Sequence, residues 1–146
     1  MIVRQISYKD TLSIRHQMLR PGKKHETCFF PGDDDENTFH LGAFVNSKLV
    51  SVASFYFSQN DNLPQENQYQ LRGMATLPEF QSKGFSRELL KFGFPLIQRN
   101  LCQIVWCNAR SSAIGFYKKT GFEEIGDEFE IPTVGPHRLM YLKLKT

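Results

Sequence analysis

The segment from Gln68 to Arg99 constrains the fold more than any other part of this 146-residue chain. In residues 69–77 bulky apolar side chains alternate with other residues, which predicts a β-strand. Residues 78–83 form a short, mostly polar connection, and from Gly84 onward large apolar residues recur at helical spacing. The segment therefore predicts a strand that passes through a tight turn into a helix.

A turn of this kind has the properties of an anion site. The first backbone N–H groups of a helix have no partner within the helix, and the helix dipole adds positive potential, so a phosphate or pyrophosphate fits there. Gly84 suits the site because a side chain at this position would obstruct a phosphate approaching the backbone. Lys83 and Arg87 are placed to add positive charge. The alternative is that Gly84 only turns the chain into the helix.

Composition favours one packed domain that spans residues 1–146. Apolar residues make up 40% of the chain and aromatic residues 13%, which argues against disorder. The net charge of +3 is small and the basic residues form no stripe, which argues against nucleic-acid binding. Three cysteines without metal-like spacing predict free thiols in a cytoplasmic protein. A polar N-terminus and short apolar runs argue against secretion and membrane insertion.

The order of elements indicates a mixed α/β (α+β) fold. The strand at 69–77, the following helix and a strand at 103–107 predict a right-handed βαβ unit with two parallel strands. We expect the other strands to complete a mixed sheet with helices on both faces. These strands are expected at 2–6, 39–45, 49–57, 122–131 and 138–144, with further helices from Ser7 to Arg20 and from Ser111 or Ser112 to Gly121.

Local irregularities are expected at three places. Gly73, in the middle of a strand, indicates a bulge or a close approach of the backbone to another group. Pro95 lies inside the apolar pattern of the second helix and is expected to kink the helix or end it near Phe94. Ser111 or Ser112 is expected to cap the third helix.

Two separated motifs carry a resemblance to a known family. The string MATLPEFQSKGFS resembles the acetyl-CoA signature of the GNAT superfamily of N-acetyltransferases, although Ser86 stands where glycine or alanine is usual. Asn108, Ala113, Phe116 and Tyr117, followed by a Gly-Phe pair, resemble the later GNAT pattern in order and spacing. Strings such as IRHQMLRPG and TFHLGAF also resemble a subgroup of bacterial GNAT proteins, which implies no particular substrate.

The resemblance implies a GNAT-like, mostly antiparallel sheet with a central, splayed parallel pair. It also implies transfer of an acetyl group from acetyl-CoA to an amine by direct attack on the thioester. Tyr117 would donate to the departing CoA sulfur, whereas its alternative is a packed tyrosine with a satisfied hydroxyl. The cofactor-binding residues would be Met74, Ala75, Thr76, Gln81, Ser82, Lys83, Gly84, Phe85, Ser86, Arg87, Asn108, Ala113, Phe116 and Tyr117.

The need for a general base depends on the acceptor amine. At pH 7 about one-tenth of an α-amine is neutral, at a cost of about 1.4 kcal/mol, whereas a lysine amine costs about 4.6 kcal/mol. For an α-amine, a path of water molecules that removes the proton suffices. For a lysine amine, a general base or strong desolvation of the amine is needed. His40 is the predicted catalytic base, with His16 and His137 as other candidates, and each of these histidines is alternatively structural.

The predicted acceptor pocket is basic. In GNAT enzymes the first helix and its loop, the central strand and the last hairpin loop wall this pocket. In this chain these regions supply Arg15, His16, Arg20, Arg72 and His137, and Arg110 is expected near the gap between the splayed strands. Such a lining predicts a small amine acceptor that carries a carboxylate or phosphate. One alternative is that these arginines pair with acidic residues of the chain. Another is that they face solvent, which is the favoured alternative for Arg15. The acidic run at 33–36 is expected to be solvated rather than to bind a metal, and no metal site is predicted.

Two other functions remain open from the sequence. The acceptor is alternatively a protein or peptide amine, for which we expect an open groove instead of a closed pocket. The chain is alternatively a non-catalytic CoA-binding sensor that kept the fold, although the presence of both Asn108 and Tyr117 argues against this. A homodimer is a further possibility that the resemblance raises.

Overall fold

A computed structural model describes residues 1–145 of the chain. Within this range the strands are β1 (Ile2–Ile6), β2 (Phe39–Val45), β3 (Lys48–Phe57), β4 (Gln68–Thr76), β5 (Ile104–Arg110), β6 (Glu123–Ile131) and β7 (Gly135–Lys143). The helices are α1 (Tyr8–Leu19), α2 (Phe85–Arg99) and α3 (Ile114–Lys119), and short 3₁₀ turns lie at His25–Cys28, Pro78–Phe80 and Ser111–Ala113.

The seven strands form a sheet in the order β1-β2-β3-β4-β5-β7-β6. Pairing is antiparallel between β1 and β2, β2 and β3, β5 and β7, and β6 and β7. Strands β4 and β5 pair in parallel, with Gln68 opposite Ile104 and Gln70 opposite Trp106. The predicted mixed, mostly antiparallel sheet with one parallel pair is therefore confirmed.

The chain divides into two compact units. The first comprises Met1–Phe57 and Leu71–Leu96, and the second comprises Ser58–Gln70 and the chain from Ile97 onward. Strand β4 contributes Gln68–Gln70 to the second unit and its remaining residues to the first. The prediction of one domain over residues 1–146 stays a prediction.

In the first unit, local sequence signals fix the starts and turns of the elements. Ser7 caps α1, and its hydroxyl accepts the Lys9 N–H while the Asp10 carboxylate accepts the Ser7 N–H, which forms a capping box. Asn46 and Ser47 both have positive φ, at 49° and 68°, as a two-residue type I′ turn requires. This turn joins β2 to β3 as an antiparallel hairpin, and both strands lie close to the predicted ranges 39–45 and 49–57.

Helix α2 continues through Pro95, so of the two expected outcomes the helix end near Phe94 is wrong, and the kink stays a prediction. Proline removes one hydrogen bond from a helix, but apolar residues on both sides of it are buried, among them Leu90 and Ile97. In the first unit the helix approaches β3 at Gly93, where an added Cβ would lie 2.8 Å from the Phe55 ring. Burial of the apolar face thus outweighs the local cost of the proline.

In the second unit, a small apolar cluster lies under the loop that precedes β4. It consists of Leu63, Ile104, Trp106 and Leu139, with Ile125 and Tyr141 packed against it. The Trp106 indole donates a 2.8 Å hydrogen bond to the Ser58 carbonyl. The side-chain amide of Gln68 donates to the Gln65 carbonyl at 2.6 Å and accepts the Asn60 N–H at 2.7 Å. These contacts fix a polar loop that the sequence alone leaves undefined.

Two expectations about the C-terminal part are wrong. No serine side chain caps α3, because a 3₁₀ turn precedes the helix and the Ser111 hydroxyl donates instead to Glu128. Strand β7 begins at Gly135 rather than Arg138, since the tight turn at 132–134 lets Gly135 pair with Ile131. The expected glycine turn after α3 is present, with Gly121 at φ 101°.

The cysteines agree with the prediction of free thiols. Cys28, Cys102 and Cys107 are all free, as predicted, and all three are buried. Among residues 1–145, no helix is long and apolar enough to cross a bilayer. In the same range, no three histidine, cysteine or acidic side chains group closely enough to hold a metal ion. The cytoplasmic location and the homodimer stay predictions.

Candidate active site

The turn after β4 is held in a shape that only a few residues adopt. Ser82 and Gly84 have φ values of 61° and 88°, in the left-handed region. The Gln81 side-chain amide donates to the Thr76 carbonyl at 3.1 Å, so this residue braces the turn against the end of β4. The predicted tight turn into a helix is therefore confirmed.

The start of α2 presents open backbone. The first hydrogen bond of this helix runs from the Glu88 N–H to the Gly84 carbonyl at 3.1 Å, so the N–H groups of residues 85–87 precede the intrahelical bonds. An added Cβ on Gly84 would meet only an Arg87 guanidinium nitrogen, at 3.6 Å. Lys83 and Arg87 are exposed beside this opening. Free N–H groups, a missing side chain and two cations together fit a pyrophosphate.

A chain of hydroxyl groups fixes the junction between β4 and α2. The Thr76 hydroxyl lies 2.7 Å from the Ser51 hydroxyl on β3 and 3.3 Å from the Ser86 hydroxyl in the first turn of α2. The Ser51 hydroxyl also lies 3.3 Å from the Ala75 carbonyl. Serine at position 86, where the GNAT signature has glycine or alanine, thus makes a contact that those residues lack.

A buried ion pair lies at the centre of the first unit. Arg15 on α1 is fully buried, and its guanidinium donates to both oxygens of Asp33, at 2.7 and 3.0 Å. The same guanidinium donates to the Cys28 carbonyl, the Ser54 hydroxyl and the Tyr56 hydroxyl, at 2.8, 2.9 and 3.1 Å. The alternative in which Arg15 faces solvent is wrong, and so is the expectation that the whole acidic run is solvated.

Asp33 is fully satisfied as a carboxylate. Besides Arg15, the Tyr56 hydroxyl donates to it at 2.5 Å and the Phe30 N–H at 2.8 Å. Burial alone would raise the pKa of Asp33, but the hydrogen bonds from Arg15, Tyr56 and Phe30 and the Arg15 charge outweigh burial and hold the pKa below its usual value. Burial and the bond to Asp33 raise the pKa of Tyr56. The group is therefore a carboxylate, a guanidinium and a neutral phenol.

His40, the predicted base, belongs to the same buried cluster. Its Nε2 lies 2.9 Å from the Asp33 carbonyl and its Nδ1 lies 2.7 Å from the Ser54 hydroxyl. A carbonyl only accepts, so Nε2 carries the proton, and the Ser54 hydroxyl donates to Nδ1 while it accepts from Arg15. Burial, and next the Arg15 charge, lower the pKa of His40, against the opposing effect of the Asp33 carbonyl. Both ring nitrogens are thus engaged, and the role of His40 as a base stays a prediction.

Three arginines surround the ring of Phe30. The guanidinium carbons of Arg15, Arg72 and Arg20 lie 4.1, 4.8 and 5.4 Å from the ring centre. Among residues 1–145, neither Arg20 nor Arg72 has an acidic side chain within ion-pairing distance, whereas Arg15 pairs with Asp33. Two half-buried cations therefore lie at one ring without a counter-ion from the described chain.

Gly73 explains how the backbone of β4 reaches this cluster. Its φ is 64°, and an added Cβ would lie 3.1 Å from the Phe30 ring and 3.4 Å from the Arg15 Nε. That Nε is buried without a hydrogen-bond partner. The predicted close approach of the backbone at Gly73 is confirmed.

The other predicted acceptor residues are distributed between the units. His16 on α1 contacts the Lys23 carbonyl through Nε2 at 2.8 Å. In the second unit, Arg110 and His137 lie opposite each other in the β5–β7 register. Arg110 is exposed, whereas His137 is buried and its Nδ1 donates to the Gly135 carbonyl at 2.7 Å. Their roles in acceptor binding stay predictions.

The second half of the predicted cofactor site lies in the second unit. Asn108 is an exposed residue of β5 opposite Leu139, and Ala113 ends the 3₁₀ turn before α3. On α3 the rings of Phe116 and Tyr117 meet edge to face, with centres 5.1 Å apart. The cofactor role of these residues is not decided by their positions and stays a prediction.

Tyr117 is buried, and its hydroxyl interacts with the buried Cys107 thiol. Burial, followed by the interaction with Cys107, raises the pKa of Tyr117. Burial also raises the pKa of Cys107 to about 12, although the bond from Tyr117 acts in the opposite direction. A neutral phenol with a raised pKa is suited to donate a hydrogen bond and not to act as a base.

Sequence reasoning missed Phe30, Asp33, Ser54 and Tyr56. The string Phe30-Pro31-Gly32-Asp33 carried a usable signal, since a Pro-Gly pair is typical of the centre of a tight turn. The structure has this turn, with the Asp33 N–H bonded to the Phe30 carbonyl at 3.1 Å. Nothing local indicates that its partner is Arg15.

Comparison with known proteins agrees with this fold and these motifs. The model of the acetyltransferase (GNAT) family matches residues 8–122. YitI, an uncharacterized N-acetyltransferase of Bacillus subtilis (strain 168), is 40% identical over 144 residues, which cover 99% of this chain and 97% of that protein. The chain therefore belongs to the GNAT family of acetyltransferases. The predicted class, an acyltransferase with acetyl-CoA as cosubstrate, is confirmed at the level of the family.

Solved structures share the fold over almost the whole chain. An aminoglycoside 6′-N-acetyltransferase complexed with coenzyme A has a TM-score of 0.78 at 11% identity, covering 100% of this chain and 98% of that one. The ribosomal-protein-S18-alanine N-acetyltransferase from Escherichia coli has a TM-score of 0.75 at 18% identity, covering 99% and 94%. At such identities the similarity concerns the fold alone.

Proposed function

We propose that this acetyltransferase moves an acetyl group from acetyl-CoA to the amine of a small acceptor that carries a carboxylate or phosphate. The observation that carries the proposal is the placement of Arg20 and Arg72 at the Phe30 ring without an acidic partner among residues 1–145. Half-buried guanidinium groups without an acidic partner favour an anionic ligand, because a planar anion offers them charge-assisted hydrogen bonds. Arg20 donates one hydrogen bond, to the Leu19 carbonyl at 3.1 Å. Arg15 is excluded from this role, since Asp33 already neutralises it.

The donor would be held at its pyrophosphate by the turn from Gln81 to Arg87. The open N–H groups at the start of α2, the left-handed Gly84 and the exposed Lys83 support this assignment. When bound, acetyl-CoA supplies the thioester that the acceptor amine attacks. In the second unit, we propose Asn108, Ala113 and Phe116 as further contacts to the donor.

Tyr117 would assist departure of the CoA thiolate as a hydrogen-bond donor. Full proton transfer from a phenol (reference pKa about 10) to a thiolate (about 8.5) is already uphill by about 2 kcal/mol, and burial raises the pKa of Tyr117 further. A hydrogen bond to the developing charge avoids that cost. For an α-amine acceptor no strong base is then required, which is consistent with the engaged nitrogens of His40.

Thermal unfolding with acetyl-CoA tests the donor site. A ligand at a hundredfold its Kd adds about 2.7 kcal/mol to the free energy of unfolding. We expect this gain for the wild type and its loss in Gly84→Glu, whose side chain would occupy the anion opening. Gly22→Glu is a matched control, because Gly22 also has a positive φ, at 73°, and an open position for a Cβ. Equal gains in both variants would refute the assignment of Gly84.

An acceptor screen that measures free CoA thiol tests the second half of the proposal. Small amines with and without a carboxylate or phosphate are compared with peptides that begin with alanine. We expect turnover with the anionic small amines, and Arg72→Ala should raise their KM without changing acetyl-CoA affinity. Turnover with peptides alone would replace the proposal by a protein-amine acetyltransferase. Binding of acetyl-CoA without turnover of any amine would favour the sensor alternative.

A further inference from the structure

Two lysines from different elements meet at one aromatic ring beside the donor turn. The Lys48 ammonium lies 5.7 Å from the centre of the Phe80 ring, and the Lys83 ammonium lies 5.8 Å from the same centre. Lys48 is the first residue of β3, directly after the hairpin turn, whereas Lys83 belongs to the turn before α2. No motif in the sequence connects Lys48 with this turn.

The ring that gathers the two ammonium groups is fixed. Phe80 ends the 3₁₀ turn after β4, is half-buried, and packs edge to face against Phe85 with centres 5.9 Å apart. The face of an aromatic ring attracts cations, so Phe80 holds both ammonium groups within about 6 Å of its centre. Among residues 1–145, neither Lys48 nor Lys83 has an acidic side chain within ion-pairing distance. Both exposed ammonium groups are therefore available to bind an anion.

We propose that Lys48 and Lys83, gathered on Phe80, bind the 3′-phosphate on the ribose of coenzyme A. This inference rests on the proposed donor site. Coenzyme A carries two kinds of phosphate, a diphosphate and a separate phosphomonoester. The turn at the start of α2, with Lys83 and Arg87 beside it, suits the diphosphate. The monoester adds a charge of about −1.5 to −2 at pH 7, and Lys48 supplies a further cation for it at the ring that Lys83 also contacts. Lysine binds such a group as a point charge without a demanding geometry.

Dephospho-CoA, which lacks only the 3′-phosphate, makes the test specific. The Kd values of CoA and dephospho-CoA are measured by calorimetry for wild type and for Lys48→Ala, with Lys9→Ala as a control at an exposed lysine on α1. We expect the wild type to bind CoA about tenfold more tightly, equivalent to about 1.4 kcal/mol. Lys48→Ala should reduce this ratio to about threefold or less while leaving the Kd of dephospho-CoA unchanged. Lys48→Arg should retain most of the discrimination.

The outcomes separate this inference from the proposed function. Equal binding of CoA and dephospho-CoA by the wild type would overturn the 3′-phosphate subsite and leave the donor site intact. Equal weakening of both ligands in Lys48→Ala would also overturn it, because Lys48 would then act on the shared part of the ligand or on folding. Absence of binding by either ligand to the wild type would overturn both the donor site and this subsite.

Discussion

Replacing Asp33 by asparagine measures how far the first unit depends on its buried ion pair. Each carboxylate oxygen accepts two donors: one faces an Arg15 nitrogen and the Tyr56 hydroxyl, and the other faces an Arg15 nitrogen and the Phe30 N–H. In asparagine an NH₂ group replaces one of these oxygens. This group donates hydrogen bonds and accepts none, so it would face two other donors without an acceptor. The substitution also leaves the fully buried Arg15 charge without a counter-ion. Removing one partner of such a pair costs about 3–5 kcal/mol.

The assay is urea unfolding at pH 7.5, followed by far-UV circular dichroism and by the fluorescence of Trp106, the one tryptophan. Trp106 belongs to the second unit, so coincidence of the two transitions tests whether unfolding is two-state. In thermal unfolding the same loss should lower Tm by about 6–20 °C for a chain of this size. Asp34→Asn, at an exposed neighbour, should change stability by less than about 0.5 kcal/mol.

A second variant distinguishes a stranded charge from lost packing. Arg15→Met combined with Asp33→Asn should be more stable than Asp33→Asn alone, by at least about 1 kcal/mol, because no buried charge then lacks a partner. The reasoning is refuted if Asp33→Asn costs under about 1 kcal/mol, or if the double variant is no more stable than the single one.

Three further predictions concern pH, packing and catalysis. The pKa of His40 is lowered in the folded state, so below about pH 6.5 the unfolded chain binds more protons than the folded one. The free energy of unfolding should therefore fall as the pH drops below about 6.5. In His40→Gln this dependence of stability on pH should be weaker, whereas His25→Gln should leave it unchanged. Gly93→Ala should destabilise by about 1–3 kcal/mol in urea unfolding, since its Cβ would lie 2.8 Å from the Phe55 ring; an unchanged midpoint would contradict this packing. Tyr117→Phe should lower kcat about 10- to 100-fold with acetyl-CoA affinity unchanged, and an unaltered kcat would exclude its role at the sulfur.

Features encoded by neighbouring residues could be predicted from the sequence. The turn at Gly84 and the close approach at Gly73 were predicted from the glycines themselves, and both residues have a positive φ, which glycine adopts without strain. The hairpin between β2 and β3 likewise follows from alternation of apolar residues around a short polar turn. The sequence could not decide whether the helix continues through Pro95 or ends before it, since burial on both sides of the proline depends on tertiary packing that a local rule omits.

The candidate acceptor site depends on pairings between residues that are far apart in the sequence. Local sequence patterns do not show which of these residues pair. Asp33 and Asp34 are adjacent and chemically identical, yet only Asp33 is buried against an arginine 18 residues earlier in the chain. That pairing changes the charge count of the predicted pocket, because a neutralised Arg15 adds no net attraction for an anion. The cations that remain at the Phe30 ring are Arg20 and Arg72, which belong to different elements. An acceptor anion held there must therefore bridge the end of α1 and the middle of β4, so loss of either arginine should weaken acceptor binding even though the other remains.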